Sequence, residues 1–143
     1  MNYIKFEKAL RRLEERYQDY LDSFKRTELL ESDKESIKES CIQRFETCFD
    51  TLWKHLKKHL EEEIGLAEVP NGPNPIFRLA LENYLIDDFE AWHNYNRKRI
   101  GTSHDYSETK ADESIGILKE FIEDAISLYE KIAGDKFKLK VKN

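Results

Sequence analysis

Apolar residues recur along this chain at intervals of three and four, the period of helices that each turn one face towards a core. Tyr3, Phe6, Leu10, Leu13, Tyr17, Leu21 and Phe24 form one such stripe, which predicts a helix from about Asn2 to Arg26. Lys8, Arg11, Arg12, Glu14 and Glu15 fill its other faces. A second helix is predicted to start near Ser32, where Ser32 and Glu35 have the form of a capping box. Its stripe is Ile37, Cys41, Phe45, Cys48, Phe49, Leu52, Leu56 and Leu60, with Trp53 on the flank, and it ends near Ile64-Gly65, where glycine suits a C-cap.

The segment Val69-Pro70-Asn71-Gly72-Pro73-Asn74-Pro75 holds all three prolines and reads as a loop. Asn74 followed by Pro75 predicts a cap and a first helical position for a short helix through Phe77, Leu81 and Tyr84. The next helix is predicted from Asp87 or Asp88 to about Ile100, broken by Gly101. Its stripe, Leu85, Phe89, Trp92, Asn96 and Arg99, begins apolar and ends polar, as if it opened into a polar cleft that must satisfy inward-facing groups. The last helix is predicted from Ser107 or Thr109 to Ala133, with Gly134 as its stop. Ala111, Ile115, Leu118, Ile122, Ile126, Tyr129 and Ala133 line its main face; Phe121, Leu128 and Ile132 line a second, which calls for more than one neighbour. From Asp135 to Lys142 lysine alternates with apolar residues, and a lone strand is not stable, so this part reads as a frayed tail. The expectation is an all-α fold, an antiparallel up-and-down bundle of four long helices plus one short helix, with one helical domain over 1–134 and a basic C-terminal tail over 135–143.

Composition agrees. Of 143 residues, 39% are hydrophobic and 37% charged, with 5 Gly, as amphipathic, charge-rich helices require. The net charge of −5 argues against a general nucleic-acid-coating protein while leaving room for a local basic site. There is no apolar run of membrane-spanning length and no signal-peptide core at the N-terminus, so the expected location is cytoplasmic and no membrane is expected as a partner. Cys41 and Cys48 lie two helical turns apart, roughly 10 Å, too far for a disulfide, and read as small core residues.

The candidate chemistry lies in Asn96-Arg97-Lys98-Arg99-Ile100-Gly101-Thr102-Ser103-His104-Asp105-Tyr106. Arg99 offers a permanent cation and His104 a group that titrates near neutrality, the pair that phosphodiester chemistry uses. Asn96 and Tyr106 are candidates to stand beside them, and Arg97 contributes to the local field. A helix C-terminus that favours cations accounts for the same basic triplet without any chemistry. His55 and His59, one turn apart, could hold a metal, but no third ligand has suitable spacing, and neither a metal nor a cofactor is expected. Trp53, Trp92, Phe45, Phe49 and Phe89 recur at helical spacing and read as core.

Several blocks together resemble the nucleotidyltransferase substrate-binding protein family of the HEPN superfamily. They are Phe45-Glu46-Thr47, Asp50-Thr51-Leu52-Trp53-Lys54, Leu56-Lys57-Lys58, Asn74-Pro75-Ile76-Phe77-Arg78, Leu85-Ile86-Asp87-Asp88, Trp92, and Arg99 with Thr102 to Tyr106. The resemblance runs from about Phe6 to Ile132. It implies a helical bundle that works with a minimal nucleotidyltransferase, in some pairs as toxin and antitoxin. In those pairs the helical partner is a metal-independent ribonuclease, a homodimer whose Arg-x4-His motifs face each other. The nucleotidyltransferase silences it by adding AMP to the tyrosine two positions after the histidine. Carried over, Arg99 and His104 become the catalytic pair and Tyr106 the modification acceptor. One position departs from that pattern: Ile100 stands where a polar residue, often Asn, follows the arginine.

Two readings follow. In the first the chain is a toxin-like ribonuclease acting on RNA, with His104 moving protons and Arg99 stabilising charge on the phosphorane. In the second it is a non-catalytic subunit of a nucleotidyltransferase complex that binds nucleotide or substrate. Ile100 and the acidic net charge favour the second, but Arg99, His104 and Tyr106 all keep the family's spacing, and that makes the toxin-like role, with activity attenuated, the main expectation.

Overall fold

The computed structural model describes residues 1–104 and 108–138, with Ser103 and His104 described by their backbone alone. Among the described residues there are six helices and no strand: α1 (Ile4–Ser23), α2 (Glu31–Glu62), α3 (Pro73–Glu82), α4 (Phe89–His104), α5 (Glu108–Gly116) and α6 (Leu118–Ala133).

The 32-residue α2 is the spine, about 48 Å long, and all five other helices pack against it. Its predicted stripe holds along most of its length: Cys41, Phe45, Cys48, Phe49, Leu52, Leu56 and Leu60 are all fully buried, while Trp53 sits half-buried on the flank. The start differs from expectation. Leu30, not Ser32, precedes the first turn, and Asp33 accepts a hydrogen bond from the Leu30 N–H (3.2 Å), the acidic half of a capping box. At the other end Gly65 is left-handed (φ +83°) and the Leu66 N–H turns back to the Leu60 carbonyl (3.0 Å).

On α1 the stripe is buried only at Phe6, Leu10 and Leu13; Leu21 and Phe24 are exposed, and the helix stops at Ser23, short of Arg26. A tight turn then carries the chain back into α2. The short helix α3 starts earlier than predicted. Gly72 is its cap and Pro73 its first residue, which puts Asn74 and Pro75 inside the first turn, where no N–H needs an intrahelical acceptor. It ends at Glu82, so Tyr84 lies beyond it, 86% exposed and left-handed (φ +61°).

Two further boundaries are corrected. Gly101 does not break α4, which continues to His104; a single glycine costs a helix only about 1 kcal/mol. The predicted last helix is two helices, interrupted at Ile117 just after Gly116, where the Ile117 N–H reaches the Ser114 carbonyl (3.3 Å). Both apolar faces run along α6, where Phe121, Leu128 and Ile132 are buried on one and Leu118, Ile122 and Tyr129 on the other. α5 packs on α2 and α4, α6 on α1 and α2, so both faces are covered within the chain.

The core is an aromatic cluster centred on Phe121, joined edge-on by Phe45 (5.0 Å between centroids) and Tyr95 (5.2 Å), with Trp92 and Phe49 behind. Phe45, Leu52, Trp92 and Ile122 are buried in it, with Phe89 and Ile115 packed against its edge. The start of the predicted tail is anchored rather than frayed. Phe137 is buried against Tyr129 and under the Arg11 guanidinium, and its N–H donates to Glu130 (2.9 Å). Lys138 presents its carbonyl to Arg11. Residues 139–143 lie outside the described residues.

Candidate functional site

Helix α4 carries two polar regions, one at each end. It starts at an N-cap, Asp88, whose carboxylate accepts the Ala91 N–H (3.2 Å). Beside this cap lies a cleft of about 270 Å³. Leu85, Ile86, Asp87, Asp88 and Trp92 form one wall; Glu120, Asp124 and Lys131 of α6 stand opposite. Two of the sequence blocks singled out above, Leu85–Asp88 and Trp92, therefore meet in one place. Asp124, one of the lining residues, accepts a hydrogen bond from the buried Tyr95 hydroxyl (2.5 Å). Burial, and then that carboxylate, hold the Tyr95 hydroxyl firmly un-ionised. With four carboxylates to one lysine, the cleft suits hydroxyl or cationic groups and repels phosphate. Sequence reasoning missed Glu120, Asp124 and Tyr95, because acids on the open side of an amphipathic helix give the same signal as plain solvated charge.

At the far end of α4 the polar stripe is satisfied inside the chain. Asn96 is 6% exposed, and its amide donates to Asn74 at the start of α3 (3.2 Å). Arg99 grips two carboxylates on α2. Its Nε and Nη2 form a fork onto Asp50 (3.2 and 2.9 Å), and its Nη1 reaches Glu46 (2.8 Å). Glu46 and Asp50 are four residues apart on α2, so they point the same way. Planar, bidentate recognition of this kind is what arginine does best. Thr102, 1% exposed, donates to the Arg99 carbonyl (3.0 Å), and Lys98 lies 3.6 Å from Glu113 of α5. Arg97 and Ile100 are exposed.

Positions 99 and 104 both fall on α4, so their interval is helical, a rise of about 7.5 Å, rather than an arginine followed by a turn. The side chain of His104, and Tyr106 altogether, lie outside the described residues.

The other histidine pair is occupied. The His59 ring meets the Tyr3 hydroxyl (2.8 Å), and the His55 ring donates to the Thr51 carbonyl (2.8 Å). Burial holds both rings below the usual histidine range. Among the described residues no three His, Cys, Asp or Glu side chains are grouped to hold a metal. No helix among them is long and apolar enough to cross a membrane.

The Arg99 clamp makes a measurable stability prediction. Arg99→Ala leaves Glu46 and Asp50 as like charges facing a lost partner. With the three side chains 15–39% exposed, solvent screening reduces the cost from the fully buried case to about 1–2 kcal/mol. Asp50→Asn should cost less. In the double variant the two losses should fall short of adding up, as urea denaturation would show.

The sequence profile of a family described as nucleotidyltransferase substrate binding protein like matches residues 1–134. No curated protein matches the sequence. Among solved structures, a protein from Thermus thermophilus is 26% identical, with a TM-score of 0.73 over 89% of this chain and 98% of its own. A Haemophilus influenzae protein, whose structure is described as revealing the fold of a substrate binding domain of a nucleotidyltransferase, is 23% identical, with a TM-score of 0.81 over 92% of this chain and 99% of its own. At that identity the likeness is one of fold.

Proposed function

Because the chain belongs to the nucleotidyltransferase substrate binding protein like family, we propose that it is the non-catalytic subunit of a nucleotidyltransferase complex, a helical partner that holds substrate for an enzyme on another chain. The observation that carries this reading is the engagement of Arg99. A ribonuclease of the Arg-x4-His kind needs a guanidinium available to the phosphorane. Here the guanidinium lies between two carboxylates of its own chain, and the trio carries a net negative charge. Ile100, 48% exposed, adds no hydrogen bond from its side chain to a phosphate. The acidic cleft at the other end of α4 also disfavours a phosphodiester. The homodimer that the resemblance implies draws no support from α5 and α6, whose two faces are covered within the chain.

The test pairs the chain with a small nucleotidyltransferase from the same source. The two should co-elute as a stable complex in size-exclusion chromatography. The chain should leave RNA intact with or without chelator, and Ile100→Asn should remain inert. With ATP present, Tyr106 is expected to gain AMP, seen as a mass increase on its peptide. Chelator-resistant RNA cleavage that disappears in His104→Ala would overturn the reading and restore the ribonuclease.

A further inference from the structure

A concentration of positive charge lies apart from the acidic cleft at the start of α4. Between α1 and α2 runs a groove with two hollows, about 430 and 230 Å³, joined by Lys5 and Thr51, which line both. Its α1 side carries Lys5, Lys8 and Arg12; its α2 side carries Arg44, Lys54, Lys57 and Lys58. Glu61 is the one carboxylate among the lining residues, and it sits 3.7 Å from Lys57. Among the described residues no carboxylate pairs with Lys5, Lys8, Arg12, Arg44, Lys54 or Lys58. Seven cations against one acid is a strong local reversal on a chain of net charge −5. Such a concentration of unneutralised charge repels itself and is offset when an anion enters. The field is felt locally: burial, with Lys58 and Lys5 adding to it, disfavours protonation of His55, which lines the same groove.

The shape narrows the ligand. From Arg44 to Lys58 the basic face of α2 extends about 21 Å, long enough for several successive phosphates. The two hollows are furrows between packed helices, of a size for one strand's backbone rather than a duplex. Apart from Ala9 and His55, the remaining lining groups, Thr47, Thr51 and Asn71, are neutral hydrogen-bonding groups suited to phosphate oxygens. No large apolar side chain projects among them, as insertion into a lipid surface would require. On α2, Thr47, Thr51 and Lys58 are turned by about 80–100° from Glu46 and Asp50, whereas Lys54 and Lys57, four and seven residues after Asp50, lie close to its face.

We propose that the α1–α2 groove binds the phosphodiester backbone of single-stranded nucleic acid without reading its sequence. This goes beyond the partnership with a nucleotidyltransferase and does not depend on it. Contact with about four to six phosphates sets the salt dependence. For a single strand the slope of log affinity against log salt is about −0.7 per phosphate, hence about −3 to −4, or a loss of about 10² between 50 and 200 mM salt.

The experiment is fluorescence anisotropy of the full chain, without a partner protein, with a labelled oligouridylate of about twelve nucleotides, the matching oligothymidylate, and a duplex of the same length. Both single strands should bind with that salt slope, and the duplex more weakly. The triple variant Lys8→Gln, Arg12→Gln, Lys58→Gln should lose at least about tenfold in affinity and flatten the slope by about 2. A control variant, Lys25→Gln, Lys119→Gln, Lys136→Gln, removes the same charge from exposed positions elsewhere and should bind as wild type. Far-ultraviolet circular dichroism of both variants verifies the fold. The proposal is overturned by an absence of single-strand binding at 50 mM salt, by equal losses in the two variants, or by tighter binding of the duplex. Preferential capture by phosphatidylserine vesicles over the oligonucleotide would overturn it as well.

Discussion

Phe121→Ala is expected to cost about 3–5 kcal/mol, against a total stability of about 5–15 kcal/mol for a domain of this kind. Truncation to alanine removes apolar area and leaves a void that the neighbours fill only in part. Phe121 is fully buried at the point where four helices meet: Phe45 and Phe49 come from α2, Trp92 and Tyr95 from α4, and Phe77 of α3 stacks on Trp92 at 4.9 Å. Edge-to-face pairs such as those with Phe45 and Tyr95 add about 0.5–1.5 kcal/mol each beyond area, not strictly additively. The loss should appear in urea denaturation as a lower midpoint with an unchanged slope. Phe24→Ala, at a position 67% exposed, should cost less than about 1 kcal/mol and serves as the control.

The second large effect is alkaline unfolding driven by the two thiols. Burial pushes Cys41 up to about 12 from an ordinary value of 9.0 and pushes Cys48 well up too. The folded state thus holds protons that the unfolded state releases. The stabilisation is complete below about pH 9 and declines as pH rises from the unfolded value towards the folded one. Each thiol contributes a fall of about 1.4 kcal/mol per pH unit in that window, so Cys41 alone accounts for about 4 kcal/mol by pH 12. Stability measured by denaturant from pH 8 to 12 should drop steeply above pH 9. In Cys41→Ala, Cys48→Ala the baseline should be lower because of the cavities, and the alkaline slope shallower. A residual slope should persist from Tyr95, whose hydroxyl is held un-ionised by burial and by Asp124. An identical slope in both proteins would show that the thiols are not responsible.

Helical periodicity carried most of the fold. Cys41 to Leu60 reads as a buried face because every third or fourth residue is apolar, and no other element competes for those positions. The boundaries were less legible, since they depend on tertiary contacts. Gly101 reads as a break and Gly116 as the interior of one long helix, yet α4 passes through the first to His104, while α5 stops at the second. α4 is held across Gly101 by Lys98 pairing with α5 and by Thr102 bonding back to Arg99. At the site, Arg99 and Asn96 could be read as inward polar groups, but their partners could not. Glu46, Asp50 and Asn74 are distant in sequence and carry no periodic signal. The basic groove was hidden for the same reason. Lys5, Lys8 and Arg12 look like the solvated side of one helix and Lys54 and Lys58 like that of another, and only packing makes them a single surface.

The seat of Phe137 has a consequence for the order in which this molecule can be assembled. The α1–α2 hairpin joins neighbours in sequence and can form as soon as both helices exist. The seam between α1 and α6 is different. It is tied by Arg11 reaching across to Lys138 and stacking over Phe137, contacts that span nearly the whole chain. Closing so long a loop carries an entropic penalty that the α1–α2 hairpin does not, though one that grows only slowly with loop length. On the ribosome, α1 and α2 can pair first, while the part of α1 that meets Phe137 and Lys138 stays uncovered until those residues emerge.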